Sequence, residues 1–334
     1  MGRPIHTYVD IEFLRGFYRA RPKEELDPSG DFQIWQDLQM FLAFRTDITF
    51  STQGINLEDL TENPLARIFA QNAEHVGSGY SRISSFQAIV PKDFLEANPN
   101  CTFLLRDSQD KSFDAEGYGV VATNSDAILG TWKKFARGTD FHVDRDEGDF
   151  SGFQDLLKFR TPVNSILITD NYILSQRSKI KANILEILTN LIPKRRGDSK
   201  VPLEIMIVTC TVDGTLPEIN SFITEHLKKE LRSAAVTVSI VKIKQESFHD
   251  RLIFSHFFYF ESGQSFNYCN EMGKLFPGMS TSLKAFPLPF SPSGKLPYAD
   301  MAKKRLRKLA RVVNDCLQCE GPKTNRLLEI AMRK

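Results

Sequence analysis

The stretch His249-Asp250-Arg251 puts an imidazole, a carboxylate and a guanidinium on three consecutive residues, directly ahead of the aromatic run from Leu252 to Phe260 and a glycine at Gly263. These residue types suit phosphate chemistry. A neutral, oriented imidazole can attack phosphorus if a second group holds its other ring nitrogen. A guanidinium offers a planar fork that takes two phosphoryl oxygens at once and balances charge developing on them. Polar groups at the end of a buried strand combine a rigid support with access from solvent.

The elements that must position these residues follow from the apolar pattern. Ser165–Thr169, Leu203–Thr209 and Val236–Ile243 read as buried strands, and Leu252–Phe260 reads as one further strand. Amphipathic helices over Ile180–Ile192 and Pro217–Leu231 separate the first three. Strands alternating with helices of this length predict βαβ units and a mainly parallel sheet. A long basic helix is expected over Tyr298–Gln318, with Leu306, Leu309, Val313 and Leu317 as its apolar stripe, and a short helix over Thr324–Met332.

In the first half, strands are expected at Thr7–Ile11 and Asp47–Phe50, and helices at Phe13–Tyr18 and Phe32–Phe44. A helix from Asn63-Pro64 to about Ala73 has its proline at a suitable first-turn position. Ser84–Val90, Thr102–Leu105 and Gly119–Ala122 are short apolar runs, and Thr123–Asp126 caps a helix over Ile128–Phe135. The polar, acidic segment Arg137–Gly148 reads as a linker. With 334 residues, the chain is expected to form two α/β domains, 1–150 and 151–334.

Residues from about 160 to 270 resemble one half of a phospholipase-D-like fold, and are most similar to the C-terminal domain of MIT-domain proteins, a degenerate branch of that superfamily. The resemblance rests on Ile168-Thr169-Asp170-Asn171-Tyr172-Ile173, on the strand Ile205–Thr209, and on His249-Asp250-Arg251 with the aromatics and Gly263 after it. It covers about a third of the chain. Active members carry His-x-Lys, an acid further on, then glycine and asparagine. The resemblance therefore puts His249 at the nucleophile, Arg251 at the lysine, His256 at the acid, Gly263 at the glycine and Asn267 one place beyond the asparagine. It implies that Asp170 or Asp250 would have to replace the lost acid. It also implies that a chain with one such motif needs a homodimer to complete a catalytic pair.

Two other groups of residues carry weight. Lys194-Arg195-Arg196 and Lys303-Lys304-Arg305 are basic clusters in a chain whose formal net charge is only +2. They suggest local contact with nucleic acid, or with an anionic lipid surface or a protein. Asp10, Glu12, Asp107 and Asp126 lie near expected strand ends, where carboxylates can hold Mg²⁺ in a nuclease. Tyr8-Val9-Asp10 bears a faint likeness to the first strand of PIN-domain ribonucleases. The bland alternative for these acids is capping and turn formation.

Five cysteines, with Cys316 and Cys319 in CxxC spacing but no second pair, point to reduced thiols rather than a disulfide framework or a metal knot. No secretory h-region and no long apolar run is apparent, so a cytoplasmic protein is expected. No cofactor is expected. The leading expectation is a phosphodiester-binding module with nucleic acid as its partner. The alternatives are a nuclease, through either dimerised His249 or the N-terminal carboxylates, and a non-catalytic lipid- or protein-binding module.

Overall fold

The computed structural model describes residues 5–23, 30–51, 62–67, 83–87, 91–100, 102–107, 115–193, 201–232, 235–290 and 297–332. The chain divides into two compact units. One is residues 1–137 with 287–300 and 333–334, and the other is residues 138–286 with 301–332.

The first unit is built on a five-stranded, wholly parallel sheet. In chain order its elements are β1 (His6–Val9), α1 (Ile11–Arg19), α2 (Asp31–Phe44), β2 (Asp47–Ser51), β3 (Ile83–Gln87), α3 (Pro91–Ala97), β4 (Phe103–Leu105), β5 (Val121–Thr123) and α4 (Ile128–Trp132). The sheet order is β3-β2-β1-β4-β5. The chain winds outward in both directions from β1, so the sheet has a topological switch between β1 and β4. The C-terminal ends of the strands flanking such a switch are where open α/β sheets take ligands. Of the helix expected from Pro64, residues 64–67 are helical and 68–73 lie outside the described residues.

The second unit carries an eight-stranded mixed sheet in the order β13-β9-β8-β7-β10-β11-β12-β6. Its elements are β6 (Thr139–Asp144), β7 (Ser165–Thr169), a π-turn over Lys181–Leu185 running into α5 (Glu186–Leu191), β8 (Leu203–Thr209), α6 (Leu216–Leu231), β9 (Val236–Lys242), β10 (Arg251–Phe254), β11 (Phe258–Ser262), β12 (Ser280–Pro287), α7 (Tyr298–Asn314), β13 (Gln318–Glu320) and α8 (Arg326–Met332). Parallel pairing joins β7, β8 and β9. Antiparallel pairs extend the sheet on both sides, with β13 on β9 and β10 on β7. The parallel part is thus narrower than the alternating pattern predicts.

Local sequence explains the central elements. All five residues of β7 are buried, as in a strand covered on both faces. Helix α6 begins with a capping box: Thr215 Oγ1 accepts from the Glu218 N–H and Glu218 Oε2 accepts from the Thr215 N–H. Its buried residues Ile219, Ile223, Leu227 and Leu231 recur every four positions. Each such side chain contributes roughly 1.5–3 kcal/mol on burial.

Three expectations are corrected. The aromatic run is not one strand but a hairpin, β10 and β11, with Arg251 opposite Ser262 and Phe254 opposite Tyr259. Ser255 makes the turn, since its Oγ accepts from the N–H groups of Phe257 and Phe258 at 3.2 and 3.0 Å. The linker expected at Arg137–Gly148 contains β6, which pairs with β12 from Thr139↔Ala285 to Asp144↔Ser280. The basic helix stops at Asn314, and part of its expected C-terminal turn is the strand β13. No described helix is long and apolar enough to cross a membrane.

Candidate functional site

The three parallel strands of the second unit end close together, with Thr169 opposite Val208 and Thr209 opposite Lys242. The antiparallel β10 starts where β7 stops, because Leu252 pairs with Thr169. Arg251 is thereby set beside Asp170. The hairpin returns Ser262, and the loop after it, to the same edge. Sheet connectivity therefore gathers the segments at 170–172, 245–251 and 262–268.

Asp170 is fully buried. Its Oδ1 accepts from the Tyr172 N–H at 2.9 Å, and its Oδ2 accepts from Ser265 Oγ at 2.8 Å and the Phe266 N–H at 2.6 Å. Burial pushes its carboxyl above the ordinary range, against the pull of those three donors and the Arg251 charge. The carboxylate is thus committed to fastening the loop after β11 to the end of β7. It holds no imidazole among the described residues.

Arg251 is half-buried, and its Nε is buried without a hydrogen-bond partner. Among the described residues its guanidinium makes no hydrogen bond or ion pair. Asp170 is near enough to feel its charge, but its oxygens are engaged elsewhere. A partly desolvated guanidinium with an unspent fork is a receptor for an oxyanion. His249 and Asp250 are exposed on the turn just before it, anchored by the buried Phe248.

The other expected residues divide. Asn267 belongs to the group: its Nδ2 donates to the Tyr172 carbonyl at 2.6 Å, and its Oδ1 is buried with no hydrogen-bond partner. Gly263 lies at this edge but serves packing, since a Cβ there would come within 2.7 Å of Thr281 Oγ1 on β12. His256 is not brought to Arg251. It is buried in the turn of the hairpin, at the opposite end of β10 and about 15 Å away at strand spacing. The spacing that puts it at the family's acid assumes an unbroken strand.

The basic clusters also need revision. Lys194, Arg195 and Arg196 lie outside the described residues. Lys303 is buried on α7, so it does not face solvent as a basic cluster requires. Arg305 is spent on Glu261, donating to both carboxylate oxygens at 2.9 and 3.2 Å. Lys304, Lys308 and Arg311 are exposed, at the i, i+4, i+7 spacing of one helix face. Lys308 Nζ stands 5.2 Å from the Phe248 ring, beside the turn that carries His249. Lys308 and Arg311 belong to the long basic helix expected from the sequence.

In the first unit, Asp10 and Asp107 meet at the switch between β1 and β4. Asp10 follows β1, accepts the Phe13 N–H at 2.7 Å as the cap of α1, and has its own N–H bonded to Leu105 O on β4. Burial, with the Asp107 charge beside it, pushes its carboxyl up to about 6. Asp107 accepts from the Ser125 N–H and Oγ, both at 2.6 Å. Gly16 of α1 lets the helix approach, because a Cβ there would overlap Ser125 Oγ at 2.1 Å. Glu12 is paired with Arg15 on the exposed side of α1, and Asp126 is exposed. Among the described residues no group of three or more His, Cys, Asp or Glu side chains is arranged to hold a metal ion. Cys316 and Cys319 are part-buried, and Cys319 Sγ donates to the Gly321 carbonyl. Cys101 lies outside the described residues.

Comparison with known proteins is sparse. No family model matches the chain, and no curated protein matches it. Among solved structures, phosphatidylserine synthase from Haemophilus influenzae Rd KW20 is similar at 11% identity and a TM-score of 0.31, over 60% of this chain and 48% of that one. The chain thus spans about half the length of that synthase. TrmBL2, an archaeal chromatin protein with a novel mode of DNA binding, is similar at 11% identity and a TM-score of 0.27, over 93% of this chain and 99% of that one. Likeness at these scores assigns neither a family nor an activity to the chain.

Proposed function

We propose that the second unit is a phospholipase-D-like module that has kept phosphate recognition and lost histidine chemistry, and that it binds the phosphodiester backbone of nucleic acid through Arg251. The observation that carries this reading is the half-buried guanidinium with no partner among the described residues, at the open end of a rigid sheet. His249 lies two residues away, and Lys308, Lys304 and Arg311 continue positive charge from the Phe248 turn along α7. Phosphate contacts from several such cations supply sequence-independent affinity. Histidine catalysis has less support. His256 is remote, Asp170 is spent on loop closure, and a second histidine would have to come from another copy of the chain.

The test is binding of a labelled oligonucleotide to the full chain and to Arg251→Ala. Loss of one backbone contact weakens affinity by roughly fivefold to tenfold on every sequence tried. Fold stability is expected to change little, because the guanidinium makes no hydrogen bond among the described residues and only its charge acts on Asp170. Unchanged affinity, or a collapse of the fold, contradicts the reading. Anionic vesicles are the control for a lipid surface, and binding to them alone moves the assignment to lipid.

A second reading is favoured by the juxtaposition of Asp10 and Asp107 at the switch of the first sheet: a Mg²⁺-dependent nuclease. Mg²⁺ commonly takes one or two protein carboxylates and completes its shell with water and substrate phosphate. Such an activity is expected to vanish with EDTA and in Asp107→Asn, and to survive Arg251→Ala in part. Cleavage that persists in EDTA contradicts it.

A further inference from the structure

We propose that the polymer held at Arg251 is single-stranded, with one of its bases stacking on the ring of Tyr172. The proposal rests on the phosphodiester reading and gives the form of its ligand. Tyr172 follows Asp170 at the end of β7 and is 37% exposed, an unusual state for a large aromatic beside a closed core. Its position is nonetheless fixed at three points. Its N–H donates to Asp170 Oδ1 at 2.9 Å, its carbonyl accepts from Asn267 Nδ2 at 2.6 Å, and its hydroxyl accepts from Gln245 Nε2 at 2.6 Å.

Gln245 opens the short segment that leads through Phe248 to His249 and Arg251, so the tip of the ring is tied to the strand of chain that carries the cations. Asn171, next to Tyr172, donates from its Nδ2 to the Gln245 carbonyl and reinforces the same link. These bonds hold the backbone and the hydroxyl while leaving the ring partly open to solvent.

A ring immobilised by its edges loses little further freedom when a flat ligand lands on its face. A cation for the phosphate next to an aromatic for the base is the combination that non-specific single-strand binders use. A duplex offers phosphates to Arg251 and Lys308, but its bases are already stacked on one another. Single-stranded DNA and RNA share the chemistry required here, an unstacked base on a flexible phosphodiester chain.

The experiment compares a thymidine oligomer, a uridine oligomer and a blunt duplex of equal charge, with the full chain, Tyr172→Leu and Tyr172→Phe. The intact protein is expected to prefer the single strands. Tyr172→Leu should weaken them by about fivefold or more, at the stacking contribution of ~1–3 kcal/mol per base, and leave the duplex unchanged. Tyr172→Phe keeps the ring face and should stay within about twofold of the intact protein. A stronger response from one of the two oligomers shows which single strand fits better and supports the proposal. Equal loss on single strand and duplex, or no loss in Tyr172→Leu, overturns the stacking role while Arg251 still binds. Absence of binding to all three probes overturns this proposal and the phosphodiester reading together.

Discussion

At the scale of single residues, the side chains at this edge differ in what they have left to offer. Asp170 has three donors on its two oxygens, whereas Arg251 has none of its own bonds made among the described residues. That contrast separates a structural carboxylate from an available cation. It was only half legible in the sequence. Asp170, His249 and Arg251 stand out by type and spacing, but nothing in their spacing says which of them is consumed by a loop. Asp10 poses the same problem in the first unit, and there the pH dependence is testable. Its carboxyl is pushed up to about 6 by burial, above the ~3.9 of an unfolded chain. The folded state therefore holds this proton more tightly. Stability from it is full below pH ~4 and is lost as pH rises through about 6. Asp10→Asn imitates the protonated form and can still cap α1. In denaturant titrations with EDTA present it should be more stable than the intact protein by about 1 kcal/mol near pH 8, and equal to it near pH 4. A variant no more stable at the higher pH contradicts this account of the buried charge.

At the scale of elements, the runs that sequence reading located were those with one unambiguous pattern. The residues of β7 are apolar or small and all buried, and α6 repeats an apolar residue every four positions. The errors arose where short polar residues carry the structure. Ser255 and His256 interrupt an otherwise apolar run, and the Ser255 hydroxyl turns the chain by satisfying two backbone N–H groups. Reading that run as one strand misplaced His256 by the length of β10. In β6, Phe141 and Val143 point inward between exposed neighbours, an alternation masked by the flanking acidic residues. The importance of the serine is open to measurement. Ser255→Ala leaves the Phe257 and Phe258 N–H groups without that acceptor and should cost about 1–2 kcal/mol in urea unfolding. Oligonucleotide affinity should not change, since the turn lies at the far end of the hairpin from Arg251. Unaltered stability would show that the turn is held by the strands alone.

At the scale of the whole molecule, the formal charge of +2 on 334 residues gives no general attraction to polyanions. Any such affinity must come from where the cations sit. The structure keeps some at the surface, as with Lys304, Lys308 and Arg311 on α7, and withdraws others, as with Lys303 into the core and Arg305 onto Glu261. A count of basic residues along the sequence cannot distinguish these fates, because burial depends on which helix face meets the sheet. The expected boundary near residue 150 likewise reflects a linker pattern, whereas the second unit begins at Gly138 and residues 287–300 group with the first. The proposed function depends on Arg251 gripping a phosphoryl group. The most direct measurement is the dependence of oligonucleotide affinity on salt, plotted as log K against log salt for the intact chain and for Arg251→Ala. The slope is expected to be shallower by about one in the variant, as one phosphate contact and its released counterion are lost. Parallel lines of equal affinity would contradict it.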